Sequence, residues 1–350
     1  MTELPSHYRT GDDALDAEIA SLVQRVDPAD QRLVFEMVVT AMRLSREDTD
    51  RGDLKLVTAA MKELRYSFEV FAPYAGVRKC TIFGSARIQS GEPAYECARA
   101  VAAEIAAQDW MVITGAGPGI MEAGHEGAGA ANSFGVNIVL PFEAAANDFI
   151  ANDPKLINFN YFFTRKVMFM KESHAYVLLP GGFGTMDESF ELLTLMQTGK
   201  TPPAPVVLLD PPGSSYWDHW YTFVTTELGD GGLISPDDMR LVKVASTVDE
   251  AIEEICSFYR TYHSMRFVGD RLVMRLNRSV GDEELAMLTE EFTSMILRGS
   301  IERCTATDAE IRDDDHVALP RIVFAFDRHK WAMLRQLIDR LNESSPDVSR

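Results

Sequence analysis

Apolar residues recur along this chain with two different periods, and the change of period marks its parts. Leu33, Val34, Met37, Val38, Ala41, Met42 and Leu44 fall at helical spacing, as do Leu54, Val57, Met61, Leu64 and Phe68. Pro73 and Gly76 break that pattern. From Val77 to about Tyr262, short apolar runs alternate with helical patterns. The runs 79–83, 110–113, 136–140, 175–179, 206–209 and 241–245 predict strands, the third ending at Pro141. Segments 95–107, 121–131, 162–171, 189–196, 216–227 and 249–262 predict helices. Buried strands alternating with helices predict a doubly wound parallel sheet, a Rossmann-like α/β fold.

The tail starts afresh. Strands are expected over 271–276 and 321–326, and helices over 282–297 and 329–341, with an acidic, turn-rich stretch around Asp313–Asp315 between them. A small α/β appendage is the reading, with residues 342–350 expected to fray. The expected layout is a helical extension over 1–75, a nucleotide-binding catalytic domain over 76–263, and the appendage over 264–350. No repeat is visible beyond the βα alternation.

Composition narrows the function. With 350 residues and 46% hydrophobic content the chain is an ordinary globular sequence. A net charge of −19 argues against general nucleic-acid binding and against adsorption to anionic membranes. Cys80, Cys97, Cys256 and Cys304 are scattered with no CxxC pair, so neither structural zinc nor a disulfide framework is expected. His125, His174 and His219 lack metal-ligand spacing and are read as structural; no metal or cofactor is expected. Met168, Phe169 and Met170 are read as core. Met1 to Asp16 lacks the layout of a signal peptide, and no apolar run is long enough for a bilayer, so a cytoplasmic location is expected.

Three glycine-bearing loops follow successive predicted strands: Gly84-Ser85-Ala86-Arg87, Gly115-Ala-Gly-Pro-Gly119 and Gly181-Gly-Phe-Gly-Thr185. The third joins the strand 175–179 to a helix, presenting bare N–H groups and a positive helix terminus to an anion. One such loop is commonly only a tight turn. Three along the carboxyl edge of one sheet point to a nucleotide. A dinucleotide dehydrogenase fits poorly: its glycine loop would open the first strand unit, and no acidic residue ends the strand Val136–Leu140. No Gly-Lys-Ser/Thr follows any loop, which excludes a P-loop. Pro118 suits the first turn of a helix. Asp187 and Glu188 lie early in the third loop's helix, where acidic groups also complement the dipole. Arg165 and Lys166 sit on a Phe- and Met-rich helix, where long basic side chains commonly reach for solvent.

Pro180-Gly-Gly-Phe-Gly-Thr-Met-Asp-Glu188 resembles the PGGxGTxxE signature of the LOG family, the cytokinin-activating phosphoribohydrolases. Phe163-Thr-Arg-Lys166 stands where that family carries its Arg-Lys pair, and Gly84-Ser85 and Gly115-Ala-Gly-Pro-Gly-Ile-Met121 resemble its other two loops. The resemblance covers about Val77 to Tyr262. It implies hydrolysis of the N-glycosidic bond of a nucleoside 5′-monophosphate, such as AMP or a cytokinin riboside monophosphate. It implies Arg165 and Glu188 as the catalytic pair, with Glu188 under the ribose and Arg165 on the phosphate, the ribose or the departing base. Gly84, Ser85, Gly115, Gly117, Gly119, Met121, Lys166, Gly181, Gly182, Gly184 and Thr185 are the implied substrate-binding residues, and a homodimer or larger homo-oligomer the implied assembly. The sequence departs from the family at Ala116, where glycine is common, and at Phe163-Thr164, where many members have His-Glu. The label lysine decarboxylase, often attached to the family, finds no support in any pyridoxal-phosphate feature. An alternative on the same fold is a non-catalytic carrier of a phosphorylated cofactor such as molybdenum cofactor; the presence of both Arg165 and Glu188 favours the enzyme. A third possibility makes the appendage a regulatory ligand site.

Overall fold

A computed structural model describes residues 7–140 and 146–343. The contacts within the chain divide it after Tyr66. In the first unit, α1 (Asp13–Val23) begins at Asp12, whose carboxylate accepts from the amides of Ala14 and Leu15. Ile19 and Val23 of α1 and Phe35 and Val39 of α2 (Gln31–Arg46) form a small core of their own. Helix α3 (Arg51–Phe71) carries the chain into the second unit.

The second unit begins with β1 (Lys79–Phe83), α4 (Pro93–Ala107), β2 (Met111–Thr114), α5 (Ile120–Ala128) and β3 (Ser133–Ile138). Then come β4 (Leu156–Phe159), α6 (Phe162–Glu172), β5 (Ala175–Leu178), α7 (Phe183–Gln197), β6 (Val206–Leu209), α8 (Tyr216–Phe223), β7 (Lys243–Ala245) and α9 (Val248–Phe258). The seven strands are all parallel, in the order β4-β3-β2-β1-β5-β6-β7. The chain winds outward from β1 to β4, returns to the other side of β1 as β5, and winds outward again. The switch point lies between β1 and β5, where doubly wound sheets open a crevice beyond their carboxyl ends.

The expected strand over 136–140 runs instead from Ser133 to Ile138, and Pro141, its expected end, lies outside the described residues. The strand over 241–245 shrinks to three residues, because Leu241 closes a 3₁₀ turn that starts at Pro236. The helix expected to reach Tyr262 stops at Phe258, and Tyr262 opens a strand.

The tail forms a second sheet. It contains β8 (Tyr262–Val268), β9 (Arg271–Leu276), α10 (Asp282–Glu291), β10 (Glu302–Cys304), α11 (Asp308–Arg312), β11 (Arg321–Phe324) and α12 (Trp331–Glu343). Its strands are antiparallel in the order β10-β11-β9-β8. One continuous hydrophobic cluster joins Ile82, Val112 and Val177 of the large sheet to Leu272, Met274 and Phe324 of the small one and to Leu334 and Leu337 of α12. The end of α7 docks on this region: a Cβ at Gly199 would stand 2.0 Å from the Trp331 ring. Asn342, expected to fray, is buried instead. Its Oδ1 accepts from Thr261 N at 2.7 Å and its Nδ2 donates to Phe258 O at 2.8 Å. The expectation for residues 344–350 lies outside the described residues. Among the described residues, no helix is long and apolar enough to cross a membrane.

Candidate active site

The three glycine loops leave β1, β2 and β5, three adjacent strands, and backbone bonds tie them together. Ser85 N donates to Pro180 O at 3.2 Å, joining the first loop to the third, and Ile120 N donates to Ser85 O at 3.1 Å, joining the second to the first. Three glycines are required by close approach. A Cβ at Gly84 would press on Ile120, one at Gly119 (φ +70°) on Ser85 O at 2.5 Å, and one at Gly181 on Thr185 Oγ1 at 2.0 Å. Gly182 and Gly184, by contrast, face open space. No side chain caps α7 at Gly182, so the first-turn amides are left for an anion. The Tyr216 hydroxyl donates to Gly181 O at 2.6 Å and pins the loop from the α8 side. Replacing Gly181 by alanine is expected to displace Thr185 and cut kcat/KM about 100-fold, with the fold intact by circular dichroism.

The loops surround a cavity of ≈1010 Å³ lined also by Phe83, Met121, Phe162, Arg165 and the first turns of α7 through Glu188. Glu188 is only 5% exposed. Its Oε1 lies 3.8 Å from Arg165 Nη2 and its Oε2 lies 3.5 Å from Lys166 Nζ. Burial raises the affinity of this carboxylate for a proton above the ordinary carboxylate range; Lys166 and Arg165 oppose that shift without cancelling it, and Asp187 and Glu191 add to it. The Arg165 guanidinium lies over the Phe162 and Phe169 rings at 5.7 and 5.2 Å, which holds it at the cavity wall. A Cβ at Gly115 would stand 2.7 Å from Met121 Sδ and 3.3 Å from Arg165 Nη2, so the second loop lies close against both side chains. A buried carboxylate and a guanidinium thus meet close to the uncapped start of α7.

A family model described as "Possible lysine decarboxylase" matches residues 118–255. The cytokinin riboside 5′-monophosphate phosphoribohydrolase of Mycobacterium tuberculosis is 31% identical over 159 residues, which cover 45% of this chain and 82% of that protein. The chain belongs to the LOG family. A probable cytokinin riboside 5′-monophosphate phosphoribohydrolase of Oryza sativa subsp. japonica is 33% identical over 117 residues, 33% of this chain and half the length of that relative. The molybdenum cofactor binding protein from Rippkaea orientalis superposes over 52% of this chain and 96% of its own at 21% identity, with a TM-score of 0.37, a likeness too low to argue from.

Ten of the residues matching the LOG motifs line the one cavity: Gly84, Ser85, Gly115, Met121, Arg165, Gly181, Gly182, Gly184, Thr185 and Glu188. Gly117 and Gly119 do not line it; Gly119 serves the approach of the loops just described, and Gly117 O accepts from Asn147 Nδ2 at 2.9 Å. Lys166 points to another face of α6 and binds Asp187 at 2.8 Å and Glu191 at 2.5 Å. Those carboxylates hold its ammonium more firmly protonated than usual, against the opposing effect of burial. The LOG departure at Ala116 falls at φ +62°, the left-handed region that favours glycine.

Arg87, Phe162 and Tyr216 also line the cavity. Arg87 ends the first glycine loop, whereas Phe162 and Tyr216 fall outside the LOG motifs, so no motif points to those two. Behind the second loop lies a buried polar support. Asn147 Nδ2 donates to Ala116 O (3.0 Å) and Gly117 O, and Asn147 lies against His125 Nδ1. His125 Nε2 contacts Thr114 Oγ1 and Phe134 O at 3.0 and 3.1 Å. Burial lowers the proton affinity of His125 and keeps it neutral, in line with a structural role. Asn147→Ala is expected to cost about 1–2 kcal/mol by removing the side-chain partner of Gly117 O and of the buried His125 Nδ1, while Ala116 O keeps the backbone N–H of residue 147 at 2.8 Å, read as a lowered urea midpoint. Met168 and Phe169 are fully buried and Met170 nearly so, as core residues.

Proposed function

We propose that this protein hydrolyses the N-glycosidic bond of a nucleoside 5′-monophosphate of the cytokinin riboside or AMP type, giving free base and ribose 5-phosphate. The observation that carries this reading is the placement of the buried Glu188 carboxylate beside Arg165, next to the uncapped start of α7. The names of the relatives point the same way.

The first-turn amides of α7 and the Thr185 hydroxyl bind the 5′-phosphate, aided by the helix dipole. That places the ribose toward Glu188, about one turn further along α7. As the bond from C1′ to the base nitrogen breaks, positive charge develops on the ribose ring. The Glu188 carboxylate stabilises that charge and orients a water, whose oxygen bonds to C1′. The bonding electrons leave with the base, which takes up a proton; the attacking water releases one. Arg165 holds the phosphate or the ribose, or assists the departing base, and it opposes protonation of Glu188.

Incubation with AMP, GMP, CMP, UMP and an isopentenyladenosine monophosphate, followed by chromatography, tests the reading. Release of base from at least one of them is expected. Binding without release from any would favour the carrier role instead. A homo-oligomer, carried over from the resemblance, is proposed alongside and is read by light scattering.

A further inference from the structure

A second cavity of ≈630 Å³ lies where α6, β5 and the end of α7 meet β8 of the small sheet. It opens on another face of α6: Phe162 and Arg165 line the candidate active site, whereas Lys166, Val167, Met170 and Lys171 line this one. Successive helical residues turn by about 100°, which is why neighbours serve different cavities. Its size falls within the range of small-ligand sites.

Positive charge gathers there, in a chain whose net charge is −19. Lys166, Lys171 and Lys200 line the cavity against a single carboxylate, Glu191. Lys166 is held by Glu191 and Lys171 by Glu172, but Lys200 makes no ion pair among the described residues. Arg78 does not line the cavity; its guanidinium lies 4.0 Å over the ring of Tyr259, which does. His174 and His263 line the wall as well. Burial first, and then neighbouring positive charge from Lys79 and Arg78 on one and from His316 and Arg78 on the other, bring both to about 4 and keep them neutral. The rest of the lining is aromatic and apolar, including Tyr259, Tyr262 and Met265. A lysine without an ion pair among the described residues, beside aromatic side chains, suits a phosphate attached to a flat organic group.

Lys166 connects the two cavities. Its ammonium reaches Glu191 in this one and lies 3.5 Å from Glu188 Oε2 at the other. We propose that the second cavity binds a nucleotide-sized organic phosphate, and that the bound phosphate, by drawing on Lys166, weakens the cationic support of Glu188 and slows turnover. The binding stands on this cavity alone; the effect on turnover rests on the hydrolase reading above.

The test uses the full chain and ADP as the probe. Calorimetric titration is expected to show ADP binding that Lys200→Glu weakens about five-fold, while Lys243→Glu, an exposed charge control on β7, leaves it unchanged. Lys200 is exposed, so its substitution leaves the fold and the basal AMP turnover intact. ADP is expected to lower kcat for AMP without raising KM, and Lys200→Glu to relieve that effect. Equal ADP affinity in wild type and Lys200→Glu, no ADP binding, or purely competitive inhibition would overturn the proposal. Inorganic phosphate binding as tightly as ADP would overturn its nucleotide part. If AMP is not cleaved at all while ADP binding still depends on Lys200, the hydrolase reading fails and the binding site stands.

Discussion

Glu188→Gln is expected to lower base release by about 10³-fold or more, while AMP binding stays within about threefold because the phosphate cradle is untouched. The substitution keeps shape and hydrogen-bonding capacity and removes only the charge that would stabilise the ribosyl cation. A merely structural Glu188 would show the opposite pattern, with the fold weakened and turnover reduced only in proportion. The stability sign separates the two. Burial makes the folded protein bind the Glu188 proton more tightly than the unfolded chain does. Between the ordinary carboxylate range and that raised value the folded state holds more protons, so stability falls as pH rises through the window, and the loss persists at neutral pH. Glutamine carries no such cost. At pH 7 the variant should therefore melt no lower than the wild type. The wild-type acid limb of kcat should lie above the ordinary carboxylate range, and the variant's residual rate should lose that limb. A variant that melts markedly lower, or that keeps more than a tenth of the activity, would remove Glu188 from the mechanism.

Much of this site is legible in the sequence because its parts are local. A strand, a turn that needs glycine at Gly181, and the uncapped start of a helix lie within one short segment, from Ala175 to Glu188. Periodicity also carries the order of the large sheet's elements. What escapes is set by distance along the chain. Leu156–Phe159 is a four-residue strand at the sheet edge with one exposed side chain, too short to stand out as a run. Tyr262–Val268 follows α9 closely, and Phe258, Tyr259 and Tyr262 continue the helical spacing into it. Asn147 and Tyr216 act on loops 30 and 35 residues away, so nothing beside them in the chain reveals their role. Lys79 is a sharper case. It opens the apolar run 79–83, and although it carries a charge it is 1% exposed, its ammonium donating to Tyr74 O at 2.8 Å and Val77 O at 3.0 Å.

The acidic, turn-rich part of the tail hides the prediction with the largest effect on stability. Glu310 looks like one more acidic surface residue, but it is fully buried. Its carboxylate accepts from Thr307 N and Oγ1 at 3.0 and 2.9 Å, from Arg275 Nε at 2.8 Å and from Arg321 Nε at 3.2 Å. Both arginines are buried as well. Burial alone would raise the proton affinity of Glu310, but these donors outweigh it and hold the group at about 2, against 4.5 in the unfolded chain. The stability it contributes is therefore complete above about pH 4.5 and is lost as pH falls toward 2. Glu310→Gln should cost about 3–5 kcal/mol, because it leaves two buried guanidinium groups short of a charge partner. Arg275 keeps Asp315 at 2.5 Å, whereas Arg321 keeps only backbone carbonyls, so Arg321 bears most of the penalty. Adding Arg321→Leu to Glu310→Gln should recover part of the loss, since the stranded charge goes with it. The small sheet shares its core with the large one, and Trp331 supports the end of the helix that carries Glu188, so base release should melt together with the fold. Urea midpoints at pH 7 and pH 3 decide the matter: the single variant should be much weaker than the wild type at pH 7 and closer to it at pH 3. An equal gap at both pH values would mean that packing around residue 310, and not its charge, holds the small sheet together.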